Sequence, residues 1–205
     1  MCYIMLRSSK SQRREDLLDA IIEYMLENGV ADLSLRPLAK AVGSKARLLV
    51  YHFGSKDALI TEAMIVVRDR VQQAFADMVD HGEGRTPSDI MYAFWHWTTA
   101  KQNESSLRLF FEVQGLALQK PRQYGRYLEG AVTTWMEMMS DVLPQELTRT
   151  NRRALATLAL STVVGLLLDY LSSGDKKRPA DALDLFASSF DALLKKACAA
   201  QKETA

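Results

Sequence analysis

The stretch from Leu33 to Lys56 contains five basic residues and no acidic residue, so it is the part of the chain best suited to meeting a polyanion. Lysine and arginine side chains neutralise phosphates, and a small module rich in them can face a nucleic acid. Charge runs are more often a solvated surface, so this observation alone is weak. The five residues are Arg36, Lys40, Lys45, Arg47 and Lys56.

Residues that could catalyse a reaction or hold a metal form no recognisable motif. The chain has three histidines, and it lacks HExxH, CxxC and GxSxG sequences and a glycine-rich phosphate loop. Its two cysteines, Cys2 and Cys198, lie at opposite ends and do not suggest a disulfide framework, which favours a reducing compartment. We therefore expect no enzyme activity, no metal and no cofactor.

The composition is that of an ordinary globular protein, with 48% hydrophobic residues among 205 and a net charge of +1. We find no secretory signal pattern. The longest uncharged run in the second half, residues 154–168, is shorter than the roughly 20 residues that span a bilayer. We therefore expect a cytoplasmic protein without a membrane span.

Apolar residues recur at helical spacing almost throughout, which predicts an all-α fold of about nine helices. We expect the first helix to run from about Ser11 to Glu27, and Ser34, Ser44 and Ser55 to cap the next three. The third helix should end near His52 and the fourth near Asp80. Later helices are expected at about 88–101, 104–119, 121–142, 146–173 and 179–200.

Two short helices joined at Gly43 are typical of a helix-turn-helix. Glycine there permits a left-handed turn, and Leu38 and Leu49 should point inward to hold the helices at their angle. The third helix would then present an exposed face of a width that fits the DNA major groove. An αα-hairpin within a helical bundle is the simpler alternative, but it does not explain basic residues on so short a helix.

The segment from Leu35 to Leu59, LRPLAKAVGSKARLLVYHFGSKDAL, resembles the DNA-binding signature of the TetR family of bacterial regulators. Residues 51–56, YHFGSK, are its most specific part. The resemblance implies an N-terminal three-helix DNA-binding domain, residues 1–57, and a C-terminal effector-binding and dimerisation domain, residues 58–205. One departure is that many members have Ser-x-Gly-Thr-Leu-Tyr where this chain has residues 45–50, KARLLV.

The resemblance also implies roles for individual residues. Arg36 would reach phosphate or a base edge, and the recognition helix would read bases, where an arginine can bind guanine in a bidentate way. For His52 two roles stay open, a backbone contact or a buried seal of the small domain. Phe53 and Leu59 should be core. The expected DNA-binding residues are Arg36, Lys45, Ala46, Arg47, Val50, Tyr51, His52 and Lys56.

The second half is rich in aromatic residues and methionine at helical spacing, with all three tryptophans between positions 95 and 135. Such stripes are usually core, but methionine also suits adaptable pockets, and Gln114 is a polar group on an apolar face. The resemblance places an effector pocket among these helices. We expect a mainly apolar or aromatic effector near Trp95, Phe110, Gln114, Trp135 and Met138.

The eighth helix is apolar on most sides, so part of its surface should meet a second subunit. The resemblance implies a four-helix dimer interface and two recognition helices about one DNA turn, or a multiple of it, apart. The expected partners are double-stranded operator DNA, a small-molecule effector and a second copy. A repressor released by its effector is the main expectation, with activation left open. Asp169 could be an exposed helix-end charge, a buried interface acid or a pocket group.

Overall fold

The computed structural model describes residues 2–80 and 86–203. Within those ranges the chain forms nine α-helices, one turn of 3-10 helix at Lys101–Asn103 and no strand, which confirms the all-α prediction. The α-helices are α1 (Cys2–Asn28), α2 (Leu35–Ala41), α3 (Ala46–Phe53), α4 (Lys56–Asp80), α5 (Pro87–Thr98), α6 (Glu104–Gln119), α7 (Pro121–Val142), α8 (Arg149–Ser173) and α9 (Lys177–Glu203).

Most helix boundaries agree with the sequence prediction, and those of α6 and α7 do so to the residue. The predicted start of the first helix was wrong, because α1 begins at Cys2 and Ser11 lies inside it. No glycine or proline interrupts residues 2–28, so nothing in this run ends the helix early. Helix α8 begins at Arg149, where the Thr148 side chain accepts a hydrogen bond from the Asn151 N–H.

The predicted serine caps have different outcomes. Ser55 does cap α4, since its Oγ accepts a hydrogen bond of 3.1 Å from the Ala58 N–H. Ser34 stands at the N-cap of α2 in extended conformation, but its side chain makes no capping bond. Ser44 is not the cap of α3, because Lys45 occupies that position. The helix-turn-helix therefore depends more on packing than on its caps.

The chain divides into two compact units. The first contains residues 1–70 and 105–129, and thus α1–α3, the first part of α4, most of α6 and the start of α7. In it, α2 packs against both α1 and α3. Its core side chains come from all of these helices and include Ile21, Ile22, Met25, Leu38, Leu49, Leu59, Ile60 and Val113, all at most 1% exposed.

The second unit contains residues 71–104 and 130–205. Helix α9 packs along α8 and α5, and α5 also contacts α8. Buried hydrogen bonds fix α5 on α9, because the Ser88 hydroxyl donates to Asp191 at 2.6 Å and lies 3.2 Å from the Ala187 carbonyl oxygen. Desolvation by burial raises the pKa of Tyr92, and a hydrogen bond to Asp184 raises it further.

Among the described residues, α8 is the one helix whose length and apolar composition would allow it to cross a membrane. Core helices of water-soluble proteins pass the same test, so this finding alone is weak. Polar contacts lie at both ends of α8: Arg152 donates to the carbonyls of Gln145 and Leu147, and Asp169 pairs with Arg178. The sequence analysis expected no membrane-spanning segment, because it considered only the uncharged run of residues 154–168, which is shorter than α8.

Candidate nucleic-acid interface

The turn between α2 and α3 depends on the backbone conformation of Gly43. Its φ is +63°, in the left-handed region that favours glycine, whereas a methyl group added there would meet no atom within 4 Å. The conformation, not a lack of space, therefore calls for glycine. The turn closes with a hydrogen bond of 2.7 Å from the Ser44 N–H to the Ala39 carbonyl.

Helix α3 is held by one face and exposes side chains of the other face. Leu49 and Phe53 are buried in the first unit, as predicted for Phe53. On the outer side, Tyr51 is 67% exposed, and Val50 and Leu48 are also exposed although they are apolar. Among the predicted reading residues, Lys45, Arg47 and Val50 are exposed and Ala46 is half-buried. Arg36, at the start of α2, is exposed as well.

His52 is half-buried between two aromatic rings at the end of α3. Its ring lies edge-on to Tyr51, with centroids 5.2 Å apart, and to Phe53, at 6.2 Å. This position keeps both predicted roles open, since the imidazole contacts the core residue Phe53 and is still partly accessible.

Arg14 of α1 makes contacts that hold α1, α3 and α4 together. Its guanidinium lies 4.8 Å from the Phe53 ring centroid, and Nη2 donates to Glu62 on α4 at 2.7 Å. One arginine thus links α1, α3 and α4. The pairing could not be read from the sequence, because Arg14 and Glu62 are 48 residues apart.

Lys56, at the start of α4, donates from Nζ to the carbonyl of Leu33 at 3.0 Å. This bond joins α4 to the end of the loop between α1 and α2. An ammonium group has three donors, so Lys56 can keep this bond and still contact a phosphate. Its phosphate contact stays a prediction.

Two polar contacts tie α6 and α7 to the helix-turn-helix region, and the sequence analysis found neither. Glu112 Oε1 accepts hydrogen bonds from the backbone N–H groups of Val30, at 2.8 Å, and Ala31, at 2.5 Å. The Tyr124 hydroxyl donates to Asp57 at 3.0 Å. Burial raises the pKa of Tyr124, and so does the bond to Asp57. Both contacts lie within the first unit, and each joins residues more than 60 positions apart.

The residues predicted to bind an effector are divided between the two units. Trp95, Trp135 and Met138 belong to the second unit, and Phe110 and Gln114 belong to the first. Trp135 lies edge-on to Phe75 and Phe94, with centroids 5.5 and 5.6 Å away. Trp95 is not part of that cluster; it is 1% exposed and its ring lies 6.4 Å from that of Tyr170.

In the first unit, Phe110 packs edge-on against Phe111, and Gln114 is half-buried one turn further along α6. Tyr127 of α7 is another buried polar residue there, which the sequence analysis did not select. Its side chain is 0% exposed, and its hydroxyl has no hydrogen-bond partner among the described residues. Burial raises the pKa of Tyr127 to about 12, and the positive charge of Arg68 opposes this rise.

Asp169 forms a bidentate ion pair with Arg178 across the turn between α8 and α9. The two N–O distances are 2.6 and 2.8 Å, and the hydrogen bonds from Arg178 lower the pKa of Asp169. The sequence analysis left three roles open for Asp169. This ion pair fits best the role of a charge at the end of a helix. In the described part of the chain, no group of three or more His, Cys, Asp or Glu residues could hold a metal.

Comparison with known proteins gives consistent matches. Residues 17–63 match the family model of the bacterial regulatory proteins of the tetR family. Over 112 residues the chain is 26% identical to the HTH-type transcriptional regulator BetI of Stenotrophomonas maltophilia (strain R551-3). That alignment covers 53% of this chain and 56% of BetI, so the chain spans little more than half the length of this relative.

The fold resembles solved structures along most of its length. A transcriptional regulator from Rhodococcus sp. Rha1 matches with a TM-score of 0.72 and 20% identity, covering 86% of this chain and 95% of that one. The multidrug binding protein EbrR, solved with imidazole, matches with a TM-score of 0.63 and 22% identity, covering 87% and 94%. At these identities, the matches show a common fold.

The fold and the exposed α3 define a helix-turn-helix protein of the bacterial regulator class. The family model over residues 17–63 confirms the resemblance to the TetR family that was found in residues 35–59. This is a family of regulatory proteins and not of enzymes, in agreement with the sequence analysis.

Proposed function

We propose that this chain is a ligand-responsive transcriptional repressor that binds a palindromic operator as a dimer and is released by a small apolar or aromatic effector. The observation that carries the proposal is the exposure of Lys45 and Arg47 at the start of α3, while Leu49 and Phe53 anchor its other face. A helix fixed in this way can enter the major groove with its cationic N-terminal end towards the bases.

The predicted DNA-binding residues divide into two kinds of contact. Arg47 is the main candidate for reading bases, since its guanidinium can bind the O6 and N7 atoms of a guanine. Lys45, Ala46 and Val50 would complete the reading face. Contacts to the phosphate backbone position the protein without reading sequence, and we assign them to Arg36, Tyr51, His52 and Lys56.

A second copy of the chain is the proposed partner of α8 and α9. Large apolar side chains are exposed on both helices, with Leu185 reaching 73% exposure. Covering them in a symmetric four-helix interface would remove this apolar surface from water and would place two α3 helices on two half-sites. The exposed apolar residues on these helices are Leu158, Val164, Leu168, Leu185 and Leu193.

Effector contacts are proposed in each unit by itself. In the second unit the expected residues are Trp95, Trp135 and Met138, and the aromatic side chains around Trp135 offer apolar contacts. In the first unit the expected residues are Phe110 and the half-buried Gln114, which offers a polar contact. EbrR, which has a similar fold, is a multidrug binding protein solved with imidazole, and this precedent supports a small-molecule ligand.

Effector and DNA would weaken each other's binding by the same factor, because coupling between two sites is reciprocal. Helix α4 is one route for this coupling between effector binding and DNA binding, since it begins directly after the helix-turn-helix and continues into the second unit. Helix α6 is a second route, because Glu112 on α6 bonds to the loop before α2. DNA as partner implies a cytoplasmic location.

The decisive experiment is selection of genomic DNA fragments by the purified protein, followed by sequencing and a search for a palindrome. We expect two half-sites separated by about 10 base pairs or a multiple of it. A gel-shift titration against random DNA then measures specificity. Failure to bind any double-stranded oligonucleotide at low ionic strength would contradict the proposal, since phosphate contacts are strongest there.

A further inference from the structure

Leu48 on α3 exposes 44% of a large apolar side chain to solvent. Its neighbour Leu49 is 0% exposed and Phe53 is 6% exposed, so these two residues form the buried face of α3. A single exposed leucine is common on protein surfaces and needs no explanation. On α3, however, Val50 is also 44% exposed and Tyr51 is 67% exposed. Large apolar or aromatic side chains grouped in this way on one short helix mark an interaction surface.

The geometry of α3 fixes the direction in which Leu48 points. Successive residues of an α-helix are turned by about 100°, and the buried side chains of Leu49 and Phe53 mark the inner side of α3. Relative to the line opposite to them, Arg47 lies about 40° to one side and Leu48 about 60° to the other, whereas Val50 lies about 100° away. Arg47 and Leu48 therefore share the outermost part of the helix and approach any partner of α3 together.

The charge around Leu48 indicates the kind of partner. Residues 33–56 contain no acidic residue, and Arg36, Lys45 and Arg47 are exposed. A cationic surface with an apolar side chain at its centre fits DNA, since the major groove is bordered by phosphates and presents guanine acceptors and the C5-methyl group of thymine. A leucine side chain has no hydrogen-bond donor or acceptor, so this methyl group is the feature of a base edge that it can recognise.

We infer that Leu48 is a specificity-determining residue that contacts the C5-methyl group of a thymine in the operator. The inference rests on the proposed function and adds to its reading face a residue that was not among the expected DNA-binding residues. Arg47 and Leu48 are adjacent, with Cα atoms about 3.8 Å apart, and base pairs are stacked about 3.4 Å apart. The thymine should therefore lie within about three base pairs of the guanine that Arg47 binds.

The first test uses the full-length protein and the operator obtained by genomic selection. Each thymine position is changed to uracil in turn, in both half-sites at once, which removes the methyl groups and keeps every hydrogen-bonding group. We expect one position near the guanine at which uracil weakens binding about 10-fold, the effect of two buried methyl groups. Fluorescence anisotropy titrations at constant salt measure the dissociation constants. No weakening at any position, or a selected half-site without thymine, would overturn the inference.

Leu48→Ala connects this methyl group to Leu48. The variant should bind the thymine operator about 10-fold more weakly than wild type and should bind the thymine and uracil operators equally. Leu118→Ala is the matched control, because it makes the same change at an exposed leucine on α6 and should keep the full difference between the two operators. A Leu48→Ala protein that retains the thymine preference would contradict the inference. Loss of the preference in Val50→Ala but not in Leu48→Ala would assign the methyl contact to Val50 and would also overturn it.

The melting temperature separates a contact with DNA from a structural role of Leu48. The side chain is exposed and alanine favours helix, so without DNA the Leu48→Ala protein should melt within about 2 °C of wild type. A much larger fall would show that Leu48 supports the fold of α3 and would contradict the inference.

Operator binding is measured in the same titrations, so failure of this inference can be told from failure of the proposed function. Specific binding to a palindrome with no effect of uracil contradicts only the thymine contact and leaves the regulatory function in place. Failure to bind any double-stranded DNA contradicts both, since Leu48 would then have no base to contact.

Discussion

Glu112 on α6 holds the backbone of Val30 in the loop between α1 and α2, with 2.8 Å between Oε1 and the Val30 nitrogen. The same oxygen accepts a bond from Ala31, and the space beside Gly29 is filled, since a methyl group there would lie 2.7 Å from Glu112 Oε2. A residue outside the three N-terminal helices thus fixes the loop that leads into the helix-turn-helix. Any movement of α6 would therefore move the backbone of that loop or break its bonds to Glu112.

Replacing this carboxylate should weaken both stability and DNA binding. We expect Glu112→Ala to lower the free energy of unfolding by about 1–2 kcal/mol, because Val30 N–H is buried and loses its acceptor. Glu112→Gln keeps an acceptor and should lose less. Urea denaturation measures the change, with Glu137→Ala, an exposed carboxylate on α7, as the control. Equal stability of Glu112→Ala and wild type would show that the contact between Glu112 and the loop does not stabilise the fold.

Arg47→Ala should reduce binding to the selected operator by about 1–3 kcal/mol and binding to random DNA by much less, because a bidentate base contact is lost. Gel-shift titrations at constant salt measure both. Arg122→Ala removes one positive charge from an exposed position on α7 and serves as the matched control. Equal losses on operator and random DNA would mean that Arg47 contacts only phosphate.

Gly43→Ala should destabilise the protein by about 1–2 kcal/mol, because an alanine is strained at a φ of +63°. Gly115→Ala on α6 is the control: it lies within a helix where a methyl group meets nothing within 4 Å. That variant should gain about 0.5–1 kcal/mol, since alanine favours helix over glycine. Thermal unfolding compares the two, and a stabilised Gly43→Ala protein would contradict the conformational argument.

Leu168→Glu should convert the proposed dimer to monomer at micromolar concentration, because a charge would be buried at the interface without a partner. We expect the dissociation constant to rise by about 100-fold, measured by sedimentation equilibrium. Leu118→Glu changes an exposed leucine on α6, 66% accessible, and should leave the assembly intact. A wild-type monomer, or a dimer that persists in Leu168→Glu, would rule out this part of α8 as the interface.

The ion pair between Asp169 and Arg178 predicts a pH dependence with a definite sign. Arg178 lowers the pKa of Asp169 in the folded state, so the pair stabilises the fold above the carboxyl's unfolded pKa and is lost as pH falls through the folded value. NMR titration should show Asp169 ionising below its ordinary range in wild type. In Arg178→Gln the pKa should return towards that range, and an unchanged value would show that another group depresses it.

Local patterns in the sequence were enough to find the resemblance to the TetR family and most of the helices. Residues 35–59 carried the DNA-binding signature because a turn glycine, buried Leu49 and exposed basic residues follow one another within two short helices. Helical periodicity placed α6 and α7 to the residue, since proline at 121 and the apolar spacing act over a few residues. Near the N-terminus the same reasoning started α1 too late.

The tertiary structure decided which distant side chains meet, and these pairings had no local signal. Arg14 with Glu62, Glu112 with Val30 and Tyr124 with Asp57 are separated by 48 to 82 residues. Spacing along a helix indicates which residues share a face, but only the packing of helices selects the partner of that face. For this reason the sequence determined the helix-turn-helix and its exposed basic residues, while the contacts of Glu112 and Tyr124 and the unpaired buried hydroxyl of Tyr127 became visible only in the folded chain.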